Sequence, residues 1–341
     1  MAVTQEQIAK LAGVSRGTVD RTLNNRGRVD PEVAERIRKI ADELGYRPNR
    51  AGSLLVRTKR SLRIGVVLQS VETAFMSTVL SEIERARPHI QEMGAELLVY
   101  TTNNIDLVEQ LRLLDELERE KVDGIALTPV EDDRICDRIN ELFAVGIPVV
   151  TFNTDMPGSR RLCYVGQDNY LSGRTCAGLM NILLGGIGTV LMVTGYVSNL
   201  SQQRRIDGFS AEIRAEYPGI KLLPLERCSD SGAIAREIVL RVLKENPEVH
   251  GLYFSAGGPE GGCAALQELG LQGKVRVIGH DCTPANVRFA RAGLIDFLID
   301  QDAHSQAVKP LEILLDYVLT GTRPQTEYML TNIDIRNRYN V

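Results

Sequence analysis

The residues nearest the amino terminus that are equipped for chemistry lie in the run SRGTVDRTLNN, Ser15 to Asn25. Arg16 and Arg21 each carry a guanidinium fork able to give two hydrogen bonds to guanine O6 and N7, worth about 1–3 kcal/mol of discrimination per base pair. Gly17 between them removes a side chain, so backbone can approach a partner surface. Ser15, Thr18, Asn24 and Asn25 supply small hydroxyl and amide groups suited to phosphate oxygens, contacts that position a protein without reading sequence. Asp20 is an acid among Arg16, Arg21, Arg26 and Arg28. It either orients Arg16 through an i, i+4 pair or accepts a hydrogen bond from cytosine N4.

Three short helices must hold this run. Thr4 and Gln7 have the spacing of a capping box, and Ile8 and Leu11 mark an apolar face. Gly13 supplies a turn, Ser15 can cap the next helix, and Val19 with Leu23 gives that helix a core side. A third helix starts after Asp30 with Pro31 in its first turn, runs through Val33, Ile37, Ile40 and Leu44, and stops at Gly45. The pattern predicts a helix-turn-helix unit whose second helix lies in the major groove, with Arg16, Gly17, Asp20 and Arg21 at the base edges. A basic helix that merely faces solvent is the alternative at this point.

Charge is divided in a way that favours the first reading. Residues 1–60 carry 13 Lys and Arg against 7 Asp and Glu, a net +6, whereas the whole chain is −4 and the remainder therefore −10. A basic head on an acidic body implies a polyanion partner for the head alone. The 341 residues exceed one ordinary domain, and 43% apolar with 25% charged content is that of a globular chain with a sizeable core. Six cysteines without a C-x-x-C pair and four scattered histidines offer no metal-ligand spacing, so neither metal nor cofactor is expected, and a reducing cytoplasm is. The opening MAVTQEQIAK lacks the features of a signal peptide. Thr175 to Gln203 carries no charge, but LLGGIGTV divides it into a helix end and a buried strand, so no membrane contact is expected.

From residue 62 onward, short apolar runs alternate with amphipathic helical patterns. The runs are RIGVVL, AELLVYT, DGIALTP, IPVVTFN, TVLMVTG, GLYFSA and VRVIGHD, with helical stretches such as STVLSEIERARPHIQEMG and AREIVLRVLKENP between them. This alternation predicts an α/β body with parallel sheets covered by helices on both faces. CYVGQDN marks a changeover and the series restarts at Thr189, so two doubly wound sheets are expected, with a ligand cleft at the carboxyl ends of their strands. A G-x-S-x-G elbow, a P-loop and a G-x-G-x-x-G after a strand are all missing, which argues against an enzyme.

The segments IAKLAGVS, TVDRTLNNRGRV, ELGYRPN and RAGSLLVRTKR resemble the LacI/GalR family of bacterial transcription regulators, and the resemblance extends over nearly the whole chain. It implies a helix-turn-helix domain over 1–46, a hinge over 47–61 that becomes helical on operator DNA, and a two-lobed body over 62–341. The first lobe would hold about 62–165 and 300–328, and the second about 166–299 and 329–341. Leu55 matches the leucine that wedges into the minor groove. Asp20 replaces the family's usual serine, and Gly52 and Ser53 weaken the hinge helix without DNA, since glycine in a helix costs roughly 1 kcal/mol relative to alanine.

The body is similar to the periplasmic sugar-binding fold of the ribose-binding type, through YVGQDNYLSGRTCAGL, SQQRRIDGF and VIGHDCTP. That likeness implies an effector site of Thr73, Phe75, Asn153, Asp168, Gln203, Arg205, Asp281 and Gln301, with carboxylate and guanidinium pairing to sugar hydroxyls. Plainer roles compete for several of these. Asp168 and Asp281 each stand before a helix and can cap it, Arg205 can pair with Asp207 or Glu212, and Phe75 can simply pack. Asn153 takes the place of the usual aspartate, and SAGGPEGG replaces the family's N-D motif, leaving Gly257 and Gly258 where an amide would meet the ligand. The expected function is a regulator of the repressor type that binds a palindromic operator as a homodimer and answers to a sugar, polyol or sugar phosphate. A cytoplasmic, nucleoid-associated bacterial location follows. The alternative is a solute-binding protein of a sugar transport system.

Overall fold

The computed structural model describes residues 5–23, 29–44, 61–196 and 199–341. The amino-terminal unit consists of α1 (Gln5–Ala12), α2 (Arg16–Leu23) and α3 (Pro31–Glu43). Ile8, Ala9, Ala12, Val19, Ile37 and Ala41 form its core. Leu11, expected on the apolar face, is 62% exposed. The small Ala9 and Ala12 turn inward beside Ile8 instead. Gly13 makes the turn into α2 at φ 65°, a backbone state glycine adopts without strain. Both following helices are capped as their sequences suggest: Ser15 Oγ accepts from the Thr18 amide at 3.2 Å, and Asp30 Oδ1 from the Glu32 and Val33 amides at 3.0 and 3.3 Å. Thr4, Gly45 and the expected hinge up to residue 60 lie outside the described residues.

The first lobe runs through β1 (Leu62–Leu68), α4 (Ala74–Glu92), β2 (Ala95–Thr101), α5 (Leu107–Arg119), β3 (Gly124–Leu127), α6 (Asp133–Ala144), β4 (Val149–Phe152) and β5 (Tyr164–Gly166). The second comprises α7 (Asn169–Leu184), β6 (Gly188–Thr194), α8 (Leu200–Glu216), β7 (Ile220–Leu222), β8 (Glu226–Arg227), α9 (Gly232–Glu245), β9 (Val249–Phe254), α10 (Pro259–Glu268), β10 (Arg276–His280), α11 (Pro284–Arg291) and β11 (Phe297–Asp300). The chain then returns to the first lobe with α12 (Ala303–Thr320) and β12 (Tyr328–Leu330), and ends in the second with β13 (Asp334–Arg336).

Each lobe is a twisted sheet between helical layers. The first sheet has the order β12-β5-β4-β3-β1-β2, with every pair parallel. The second has the order β13-β11-β10-β9-β6-β7, with β8 beside β6 and only β13 antiparallel. Because side chains alternate along a strand, β1 sends Ile64, Val66 and Leu68 into the core shared with α4 and α12, and Val67 into the core under α5 and α6. The same alternation in β6 divides Leu191 and Val193 from Val190 and Met192. Burial on both faces explains why these strands read as continuous apolar runs.

The uncharged stretch from Thr175 resolves as expected: α7 ends at Gly185, φ 63°, and β6 starts at Gly188. No described helix is long and apolar enough to cross a membrane. The last passage between lobes falls after Leu330 of β12 rather than at residue 329, and Asp300 belongs to β11 of the second sheet. Three crossing segments therefore join the lobes, near Gln167, Gln301 and Thr331.

Candidate functional site

On α2, the core-facing positions are Val19 and Thr22, which leaves Arg16, Gly17 and Arg21 on the exposed face with Thr18 and Asp20 half-buried at its margin. Arg21 lies back along the helix, donating from Nε to the Gly17 carbonyl at 3.2 Å and from a terminal nitrogen to Thr18 Oγ1 at 3.5 Å. Ser15 Oγ and Thr18 Oγ1 share a hydrogen bond at 2.9 Å. Ser15, Arg16, Gly17 and Arg21 thus occupy one exposed face of the unit. Asn24, Asn25 and Leu55 lie outside the described residues.

In the body, a cavity of about 390 Å³ opens between the lobes at the carboxyl ends of the strands. Thr73 and Phe75 line it from the segment after β1, Asn153 from the end of β4, Arg205 from α8, Asp281 from the end of β10 and Gln301 from the end of β11. Chain direction explains the convergence: in parallel sheets every strand delivers its next loop to the same edge. Seven described residues other than glycine have positive φ, and Ser70, Asn153, Asp230 and Asp281, at 56°, 62°, 55° and 71°, all line the cavity. Asn and Asp tolerate this region better than most residues, and such backbone strain is concentrated where side chains must be aimed.

The second-lobe wall is a connected network. Arg205 donates from Nε to Asn169 Oδ1 at 2.8 Å, from one terminal nitrogen to the Ser255 carbonyl at 2.9 Å, and from the other to Gln301 Oε1. Gln301 Nε2 in turn donates to Asp281 Oδ1. Arg205 pairs with neither Asp207 nor Glu212, and Glu212 is held by Arg174 at 2.6 Å. Asp281 is equally free of capping duty, because Thr283 Oγ1 accepts from the Asn286 amide at the start of α11. Burial pushes the Asp281 carboxyl up to about 6, against the pull of the Arg205 charge and the Gln301 hydrogen bond.

Two expected site residues are absent from the cavity. Asp168 caps α7, its Oδ1 accepting from the Leu171 amide at 2.9 Å, because the unpaired amides of a helix start claim the nearest carboxylate. Its neighbour Asn169 is the residue that meets Arg205. Gln203 turns aside to Asp207 Oδ1 at 2.8 Å. Gln202 lines the cavity instead, accepting from the Tyr196 amide at 2.7 Å and donating to Asp230 Oδ2 at 3.0 Å. The helical period carried a signal for this: Gln202 is three residues before Arg205 and shares its face, whereas Gln203 is rotated by about 100°. Asp230 and Tyr196 are further lining residues that the sequence did not single out.

The lobes are also tied directly. Ser201 Oγ, at the start of α8, donates to the Asn153 carbonyl at 2.9 Å. Gln167 Nε2 donates to the carbonyls of Asp300 at 3.2 Å and Asn332 at 2.9 Å, so one buried amide in the first crossing segment holds the other two. Among the described residues no group of three His, Cys, Asp or Glu side chains is arranged to hold a metal ion.

Residues 64–322 match the periplasmic binding protein domain, and residues 4–49 match the family described as bacterial regulatory proteins, lacI family. The chain is 27% identical to the HTH-type transcriptional regulator DegA of Bacillus subtilis over 210 residues, 61% of this chain and 60% of that protein. It is 26% identical to the HTH-type transcriptional repressor PurR of Actinobacillus pleuropneumoniae over 339 residues, 95% and 94% of the two chains. Among solved structures, GanP, a glucose-galactose binding protein from Geobacillus stearothermophilus, superposes with a TM-score of 0.75 at 26% identity, covering 83% of this chain and 99% of that one.

Proposed function

We propose, on the premise that the chain belongs to the periplasmic binding protein domain family and carries an amino-terminal lacI-family regulatory domain, that it represses transcription from a near-palindromic operator and releases or grips that operator according to a small polyhydroxylated effector. Two copies place two α2 helices about 34 Å apart in successive major grooves. Arg16, Asp20 and Arg21 meet base edges, Ser15, Thr18, Asn24 and Asn25 meet phosphates, and Leu55 wedges into the minor groove. The effector, a sugar, polyol or sugar phosphate, lies between Thr73, Phe75 and Asn153 on one lobe and Arg205, Asp281 and Gln301 on the other. Its binding favours one arrangement of the lobes, and this difference in affinity is what reaches the hinge. The protein acts in the bacterial cytoplasm, at the nucleoid.

The observation that carries this reading is the convergence of polar side chains from both lobes on a cleft crossed by three hydrogen-bonded segments. The sugar-binding likeness of the body also suits a transport protein, but the regulatory domain at the amino terminus favours the regulator. Fluorescence anisotropy on a selected operator, with and without effector, tests the proposal. Asp281→Ala is expected to abolish the effector response while leaving operator affinity within about twofold; loss of both overturns the effector role of Asp281.

A further inference from the structure

Beside Gly257, in the wall of the cavity, the fold seats Asp230 from the loop between β8 and α9. Its Oδ1 accepts from the Gly257 amide at 2.9 Å and its Oδ2 from Gln202 Nε2 at 3.0 Å. Two glycines make the placement possible, since a Cβ on Gly195 would collide with Asp230 Oδ1 and one on Gly257 would come within 3.0 Å of it. Both oxygens of Asp230 therefore meet neutral donors, and among the described residues no cation is hydrogen-bonded to it. Burial holds this carboxyl above its ordinary range.

The open valences of the cavity are of the same kind. Asp281 is nine-tenths buried, and its Oδ2 accepts no hydrogen bond among the described residues. Asn286, 3% exposed on the same wall, directs both amide hydrogens at the carbonyls of His280 and Asp281, at 3.2 and 3.0 Å, so it offers the cavity no donor. The buried guanidinium, Arg205, already serves three protein acceptors. Beyond Asp230 a second chamber of about 420 Å³ adjoins the first, and its walls contain Glu72 and Asp230 but no Lys, Arg or His. The walls of the two chambers hold four carboxylates, Glu72, Asp230, Glu260 and Asp281, against two guanidiniums, Arg205 and Arg288, and this excess of negative charge favours a ligand bearing positive charge.

We propose that the effector is a polyhydroxylated amine of the amino-sugar class, its ammonium group seated on Asp230 where the two chambers meet and its hydroxyls bonded by Arg205, Asp281 and Gln301. This rests on the reading of the cleft as the effector site. It makes Asp230 the residue that sets specificity and disfavours sugar phosphates.

Isothermal titration of the full chain tests it, with a panel of free hexosamines, the matching neutral hexoses, the N-acetylated hexosamines and the hexose 6-phosphates. At least one hexosamine is expected to bind about tenfold more tightly than its neutral, acetylated and phosphorylated counterparts, the margin of a charge-assisted over a neutral hydrogen bond. Asp230→Asn keeps the shape and the acceptor for Gly257, and it should reduce that ratio to within about twofold while neutral hexose still binds. Equal or tighter binding of the neutral or phosphorylated compound by the unaltered protein, or a preference that survives Asp230→Asn, overturns the amine. Failure of every member to bind, or binding unchanged in Arg205→Ala, overturns the cleft reading as well, so the two failures are distinct.

Discussion

Asp281 concentrates the competing demands on this molecule at the scale of one residue. Its backbone is held at φ 71°, its side chain is buried, and its carboxyl is pushed up to about 6. A raised acid binds its proton more tightly in the folded than in the unfolded chain. The stability it contributes is therefore fully present below about pH 4 and is lost as pH rises through about 6. In the ligand-free protein Asp281→Asn is expected to stabilise at pH 8 by on the order of 1 kcal/mol, with the gain vanishing near pH 4; urea titrations at the two pH values measure it. Effector affinity should move oppositely, rising through pH 6 as the carboxylate forms. Arg205 and Asp281 were legible because they sit in the quoted motifs SQQRRIDGF and VIGHDCTP, and Gln301 because the likeness to the sugar-binding fold implied it. Gln202 and Asp230 were not, since one is displaced from the expected residue by a single helical step and the other becomes a neighbour of Gly257 only through the fold.

Elements explain how Arg205 is held so that it can serve that wall. Helices α7 and α8 touch through glycine: a Cβ on Gly173 would collide with the Arg205 carbonyl, and one on Gly208 with the Tyr170 carbonyl. Neither atom can yield without moving a helix. Gly173→Ala is thus expected to destabilise by about 1–3 kcal/mol or more and to displace Arg205. Thermal melts should show the loss, and effector titration should weaken more than the melt alone accounts for. The β strands quoted from the sequence all appear within two residues of their expected bounds, because burial on both faces writes them as unbroken apolar runs. β7, β8, β11, β12 and β13 were not singled out, since they are short and, unlike the four-residue β3 and β4, are not buried along their whole length, so no unbroken apolar run marks them.

At the scale of the whole molecule, a basic amino-terminal unit with a lacI-family match is joined to an acidic two-lobed body, and the proposed function couples the two. Leu55 belongs to the connecting segment, and the wedge assigned to it makes a prediction about both parts. Leu55→Ala should weaken operator binding by on the order of 2 kcal/mol, the value of burying one leucine side chain, while non-specific DNA binding at the same salt stays unchanged. Anisotropy with operator and scrambled duplexes distinguishes these, and an unchanged operator affinity would remove the wedge.

The amino-acid sequence by itself determined the helix-turn-helix unit, the alternation of strands and helices, the changeover near Gln167 and the division of charge. All of these are local: caps, periodicity and composition act over a few residues and survive in any reading of the chain. Only the tertiary structure decided which of two adjacent glutamines faces the cleft, that Asp168 serves a helix end, and that Asp230 fills the space beside Gly195 and Gly257. Those choices depend on rotation about a helix axis and on contacts between residues far apart in the chain, such as Asp230 with Gly257, 27 positions on, and with Gln202, 28 positions back. Such contacts leave no periodic trace in the sequence, because the partners are brought together by sheet order rather than by chain order.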